Sequence, residues 1–319
     1  MLYPISQFVE NSADMVVGFI NADGDIKVAP RFAGAGHFCE GKASVIEHSG
    51  HSGFLDVSGK IVIPASFRGI GHFHDSVCSV GADRGVGYID HAGRWLIEPR
   101  FLIAMPFSEG RSFVSDDGET FRLIDTAGSP LSIDRFERAR PFRAGLAPVM
   151  KEGRWGFINN KGTVVILFMF EDALPQHFKF GLAAAKLEGR WGFIDHSGFF
   201  AINPIYEEVR PFAEGLAPVR VEQQWGLIDL GGRLRLPPKW DEVGQFVNGL
   251  APARLNGGAG YINSTGAWAI PPEFQKAKPF FGELAVVQMD DAPAYVRVDG
   301  RIVWRFEPHA IVPRPPMPF

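Results

Sequence analysis

Apolar and polar positions alternate along this chain in short bursts, each cut off by glycine, proline, asparagine or aspartate, and no long window shows the i, i+3, i+4, i+7 spacing of an amphipathic helix. That pattern predicts strands and tight turns from end to end. One burst recurs in phase: GFINADG from Gly18, GFLDVSG from Gly53, GYIDHAG from Gly87, RLIDTAG from Arg122 and GFINNKG from Gly156. It continues as GFIDHSG from Gly192, GLIDLGG from Gly226, GYINSTG from Gly260 and a degenerate AYVRVDG from Ala294. Successive starts lie 35, 34, 35, 34, 36, 34, 34 and 34 residues apart, so the chain reads as an array of small units rather than as two domains.

Within each unit an apolar pair such as Phe19 and Ile20 runs into Asx, two further residues and glycine. The Asx side chain accepts a local backbone hydrogen bond and the glycine supplies the positive φ that closes a type I turn with a bulge, which predicts a hairpin. The returning strand usually reaches a proline (Pro64, Pro99, Pro204, Pro271), read as the strand end because proline lacks a ladder N–H. An aromatic follows at Phe32, Phe67, Phe101, Phe136, Phe170, Tyr206, Trp240 and Phe274, and a second ring at Phe38, Phe73, Phe107, Phe142, Phe178, Phe212, Phe246 and Phe280. Rings in such register are expected to weld one unit to the next. A Gly-Leu-Ala-Pro-Val segment, as at Gly145 to Val149 and Gly215 to Val219, closes the unit, and its internal proline predicts an edge strand.

The expected unit is therefore a three-stranded antiparallel meander of 34–36 residues, about nine of them, running from a diverged first strand near Ile5 to Val9 through Arg301 to Phe306. One such meander cannot bury its own apolar face, so the units must share a continuous core. This predicts a single all-β domain over 1–319, with 1–17 as N-terminal cap and first strand, 18–306 as repeats, and 307–319 as a proline-rich tail in polyproline II form. Three strands fall short of the usual four-stranded, roughly 40–45-residue propeller blade. The stack is accordingly expected to be an open twisted superhelical array, with a closed propeller-like toroid as the alternative.

The middle of the chain reads EGRWGFINNKG, EGRWGFIDHSG and EQQWGLIDLGG, with Trp155, Trp191 and Trp225 in register, and RPFAEGLAPV ends at Val219. From Gly18 to Phe306 the chain resembles the WG-repeat, or KWG-repeat, family. The resemblance implies a bacterial repeat scaffold without a shared catalytic activity, found in proteins that engage other proteins and sometimes near toxin systems; it offers no catalytic residues. The chain departs from the motif where Val17, Ser52, Val86, Phe121 and Ala259 replace the tryptophan, where Arg122 replaces the glycine, and where VVILFMF lacks the proline.

A net charge of −4 with interspersed signs gives no footprint for neutralising phosphates, so nucleic acid is not an expected partner. No apolar run approaches the roughly 18–20 residues of a membrane span, and MLYPISQFVENSADM has neither a basic n-region nor an apolar h-region. Two cysteines, Cys39 and Cys78, fit a reducing compartment, so a cytoplasmic location is expected.

Phosphate-loop, nucleophile-elbow and zinc-helix signatures are missing from the sequence, so no catalytic residue, metal or cofactor is assigned. His72 and His74 with Asp75 could hold a divalent metal, but Phe73 between them explains the alternation as core inward and polar outward. His91 and His196 share one turn position and read as exposed, and Cys78 falls where Ala43 and Ala147 stand, which reads as a small buried side chain. Two groups remain as candidate partner contacts. Arg135, Arg138, Arg140 and Arg143 crowd one connector and suit an acidic contact. Lys151, Glu152 and Arg154, Lys186, Glu188 and Arg190, and Arg220 and Glu222 form a charged row that stacking would bring onto one rim. The leading expectation is a non-catalytic scaffold that binds a protein, with toxin immunity as the form the resemblance suggests. The alternatives are a glycan or other ligand module using exposed aromatics such as Trp155, Trp191 and Trp225, and a metal-dependent enzyme using the histidine-rich first third.

Overall fold

The computed structural model describes residues 1–10, 14–174, 178, 180–308 and the backbone of 311–312. Nine small sheets follow one another along it. In the seventh, the order is Glu208–Val209, Leu216–Val221, Gln224–Asp229 and Leu234–Trp240, antiparallel throughout. The unit thus has four strands, not three. The extra strand is two connector residues, paired as Glu208 with Arg220 and Val209 with Val219, too short to leave an alternation in the sequence. We number the sheets as blades 1 to 9: residues 3–32, 34–67, 69–101, 103–124, 138–170, 172–206, 208–240, 242–274 and 276–305.

The expected turn chemistry is in place. Asp195 Oδ1 accepts from the backbone N–H of Ser197 at 2.8 Å and of Phe199 at 3.2 Å, while Gly198, at φ +85°, donates to Asp195 O at 3.0 Å. The glycine of the Trp-Gly pair works differently. A Cβ on Gly192 would lie 2.5 Å from Ile202 O and 2.7 Å from Pro204 N, so the returning strand crosses directly over it. That crossing is a bulge: Trp191 pairs with Tyr206 and Phe193 with Ile202, leaving extra residues on the returning strand.

Both proline readings need correcting. Pro204 does not end its strand, which continues from Phe200 to Tyr206; the proline sits in the bulge, where no ladder N–H is required. Pro218 is not on an edge, because Leu216–Val221 lies between two strands. It stands opposite Arg210, just past the end of the two-residue strand, and contributes only its carbonyl, which accepts from Arg210 N at 2.8 Å. Blade 4 has only three strands: Ile103–Ala104, Ser112–Ser115 and Arg122–Ile124. Arg122 replaces the crossing glycine there, and the returning segment pairs only through isolated bridges, Phe121 with Phe136 and Ile124 with Pro130.

The open array is also overturned, and the sheets close into a ring. Nine apolar clusters each straddle two neighbouring blades. The ninth joins Leu284 and Tyr295 of blade 9 to Tyr3, Ile5 and Ile20 of blade 1. At most interfaces a ring of one blade meets the connector phenylalanine of the next, as in Phe54–Phe73 at 4.8 Å, Phe193–Phe212 at 4.7 Å and Tyr261–Phe280 at 4.8 Å. At the interface of blades 9 and 1 the ring comes from the first long strand. Tyr3 takes over, standing where Ala43, Ala147, Ala183 and Ala217 stand in other blades and meeting Tyr295 at 5.8 Å. Tyr295 Oη donates to Pro4 O and Glu283 N donates to Tyr3 Oη, both at 2.8 Å. Ile311–Val312 then pairs in parallel with Phe8–Val9, in the slot that the short first strand fills elsewhere, so both chain ends share one sheet. The remainder of the tail, and with it the polyproline II expectation, lies outside the described residues.

Candidate binding surface

The arginine connector does not form a patch. Arg135 reaches Asp116 and Asp117, each at 3.7 Å; Arg138 is exposed on a short strand; and Arg143 is bridged through its backbone to Leu146. Arg140 lies over the Trp155 ring, 4.3 Å from its centroid, and bonds Asp172 of the next blade at 3.1 Å. Arg210 repeats this over Trp225 at 5.0 Å, with Glu242 at 2.9 Å. These two arginines roof the tryptophans and tie neighbouring blades together.

The second charged row does fall on one rim, at the hairpins joining second and third strands. Glu152, Glu188 and Glu222 occupy equivalent tip positions with φ near +50°, at 52°, 50° and 49°. Its charges are largely paired along the rim. Lys151 faces Asp134 at 4.0 Å, Arg154 faces Glu171 at 4.0 Å, and Arg190 faces Glu207 at 3.9 Å. Glu171 accepts from Gly189 N at 3.0 Å, Glu207 accepts from Glu222 N at 3.2 Å, and Arg220 pairs with Glu208. Lys186 stands opposite Asp172 in the adjacent strand.

Trp155, Trp191 and Trp225 are buried, at 3, 9 and 6 % exposure, so these rings offer no face for stacking a sugar. His91 and His196 are engaged in packing, while His48, His51 and His74 are exposed. His91 stacks on Phe73 at 4.3 Å and meets Glu40 at 3.1 Å, His196 stacks on Phe178 at 4.2 Å, and Asp75 accepts from Gly110 N at 2.8 Å. The shared turn position of His91 and His196 is therefore a lid on the connector phenylalanine. Burial holds His72 below the ordinary imidazole range. Among the described residues no three His, Cys, Asp or Glu side chains gather to hold a metal. Cys78 is fully buried at the alanine position, and burial pushes its thiol up to about 12.

One surface escaped the sequence reading. Val164–Phe170 is the outer strand of blade 5, with one edge open, and it exposes Val165 by 45 %, Leu167 by 73 % and Met169 by 46 %. The six other seven-residue outer strands each carry a guard: Pro30, Pro64, Pro99, Pro204, the pair Pro237 and Pro238, and the pair Pro271 and Pro272. The loss of proline was visible in VVILFMF, and the exposed odd-numbered residues with it. Blade 5 keeps its bulge without proline, pairing Trp155 with Phe170 and Phe157 with Ile166. Proline in the sister strands is thus not needed for the backbone path, and proline on an edge strand generally discourages strand addition.

Nine four- or three-stranded sheets in a closed ring make this a nine-bladed β-propeller. The WG-containing repeat model matches residues 18–47, 53–80, 87–119, 122–155, 155–191, 191–224, 225–258 and 260–291, and the chain belongs to that family. Among solved structures, a eukaryotic initiation factor is similar in fold, with a TM-score of 0.63 and 10 % identity over 96 % of each chain. The computationally designed Ika8 protein has a TM-score of 0.52 at 14 % identity, covering 83 % of this chain and 93 % of its own. No protein of curated function matches the sequence.

Proposed function

We propose that this propeller is a non-catalytic scaffold that binds another protein, acting in the cytoplasm as an immunity factor against a bacterial toxin, and that the partner adds a strand to Val164–Phe170. The toxin role rests on the family resemblance alone. The contact is supported by the apolar, proline-free edge of blade 5. An extended segment paired there would satisfy the open backbone edge while its side chains cover Val165, Leu167 and Met169. Phe199 and Ile205 of blade 6 are also exposed, by 73 and 63 %. The paired charges of the rim, from Lys151 to Glu222, would border the contact and set its specificity.

The test is co-purification of the full chain with the products of adjacent genes, comparing wild type with Leu167→Pro, which restores the repeat's own proline. The expected result is a stoichiometric partner retained by wild type, lost in Leu167→Pro, and less toxic to cells when the wild-type chain is co-expressed. Equal retention by a Leu167→Pro variant with unchanged thermal unfolding would overturn the contact. If light scattering instead shows a dimer of this chain that Leu167→Pro abolishes, the edge belongs to self-association and the proposal fails.

A further inference from the structure

Blade 8 lacks the pair of large side chains that blade 7 carries. The position of Arg210, whose N–H donates to Pro218 O, is held in blade 8 by Gly244, whose N–H donates to Pro252 O at 2.7 Å. The position of Trp225, paired with Trp240, is held by Ala259, paired with Phe274. The position of Glu242, which takes the arginine in blade 7, is held by Lys276. Blade 8 has lost both members of the stacked pair and inverted the charge that faced it.

A cavity of about 310 Å³ lies there, open to the surface. Gly244, Ala253 and Ala259 give it a buried, apolar floor, and Arg254, Lys276 and Lys278 stand at its rim. None of these three cations forms an ion pair among the described residues, whereas Glu242, which also borders the cavity, is neutralised by Arg210 at 2.9 Å. Blade 2 shows what the fold does when it refills such a gap. Gly36 holds the equivalent position there, and the ring of His72 closes in, so that a Cβ on Gly36 would lie 2.8 Å from His72 Cε1. In blade 8 no aromatic ring closes in, and the nearest side chain to Gly244 is Pro252 on the adjacent strand, whose Cγ a Cβ would meet at 2.5 Å.

We infer that this cleft between blades 8 and 9 binds a small planar aromatic anion. The ring takes the apolar space vacated by the indole, and the anionic group meets Lys276, with Lys278 and Arg254 beside it. The volume, at the low end of ligand pockets, suits one or two fused rings. A carboxylate at the rim gains from three cations that form no ion pair among the described residues, while a cation of the same shape is repelled.

The test uses the full chain titrated by calorimetry with indole-3-acetate, its neutral amide and tryptamine. Indole-3-acetate is expected to saturate a single site, with the amide at least ten-fold weaker and tryptamine not bound. Lys276→Glu should abolish binding, and Gly244→Arg with Ala259→Trp, which rebuilds the blade 7 pair, should do so by filling the space. Lys276 is exposed, so Lys276→Gln gives an answer even if the filled variant does not fold. Equal affinity for acid and amide, affinity unchanged by Lys276→Gln, or no saturation at millimolar ligand would each overturn the inference.

Discussion

Blades 7 and 8 share one backbone and fill it in opposite ways. Both set the same register, Arg220 opposite Trp225 and Arg254 opposite Ala259, with the same bulge beyond it. Both meet the next blade through a buried connector phenylalanine, Phe246 against Leu227 and Phe280 against Tyr261. Yet blade 7 adds an indole roofed by arginine and tied to Glu242, and blade 8 leaves a cleft. The repeat therefore has two layers. Asx turns, crossing glycines and the connector rings hold the ring together; the Trp–Arg pair fills space and can be lost one blade at a time.

The strongest way to break this division is Trp225→Ala, which converts blade 7 toward blade 8. A buried tryptophan cut to alanine costs about 4 kcal/mol, measured by urea unfolding. Arg210 would lose its ring and Glu242 its positioned partner, but the sheet order is expected to survive, as it does around Ala259. A loss under about 1 kcal/mol would mean the indole contributes little to the core, and loss of the ring itself would mean the two layers are one.

Blades 6 and 9 differ at the crossing glycine, Gly192 in one and Ala294 in the other. Gly192→Ala is expected to cost about 3 kcal/mol, because a methyl group 2.5 Å from Ile202 O must push the returning strand away. Blade 9 already carries alanine there: Ala294 pairs directly with Arg305 in a short, proline-free strand, Ile302–Arg305. The reverse change, Ala294→Gly, should therefore cost less than about 1 kcal/mol, chiefly in backbone entropy. Similar costs for the two changes would show that the glycine serves flexibility and not close approach.

Local features of the repeat are legible in the sequence, and features that join distant parts of the chain are not. The repeat phase, the Asx hairpins, the welding rings and the alanine-like place of Cys78 are local signals, written in residues that touch within one unit or its neighbour. Closure is not local. It depends on Tyr3 reaching Tyr295 and on Ile311–Val312 entering the first sheet, contacts between the two chain ends that no periodicity records. The fourth strand escaped because two residues such as Glu208 and Val209 cannot show alternation. The arginine connector read as a surface because Arg140 looks like any exposed charge until Trp155 is seen beneath it. The missing proline of VVILFMF is, in the sequence, only a departure from the motif, and the open edge gives it a meaning.

Cys78→Ala imports into blade 3 the residue of blades 5 to 8, where Ala147, Ala183, Ala217 and Ala251 pair as Cys78 pairs with Ile89. At neutral pH the variant should be less stable by about 1 kcal/mol, the loss of a small buried group. The sign should reverse in alkali. Burial raises the folded thiol from an ordinary 9.0 to about 12, so the unfolded chain releases the proton first. The contribution of that thiol is complete below pH 9 and falls by about 1.4 kcal/mol per pH unit until the folded group also ionises. Burial also raises Tyr88, Tyr261 and Tyr295, but these are common to both proteins and cancel in the difference. Urea midpoints of the two proteins should therefore cross near pH ~10. Parallel curves from pH 8 to 11 would mean that the thiol ionises as freely in the folded ring as in the unfolded chain, and that the core between blades 2 and 3 admits water where the other interfaces exclude it.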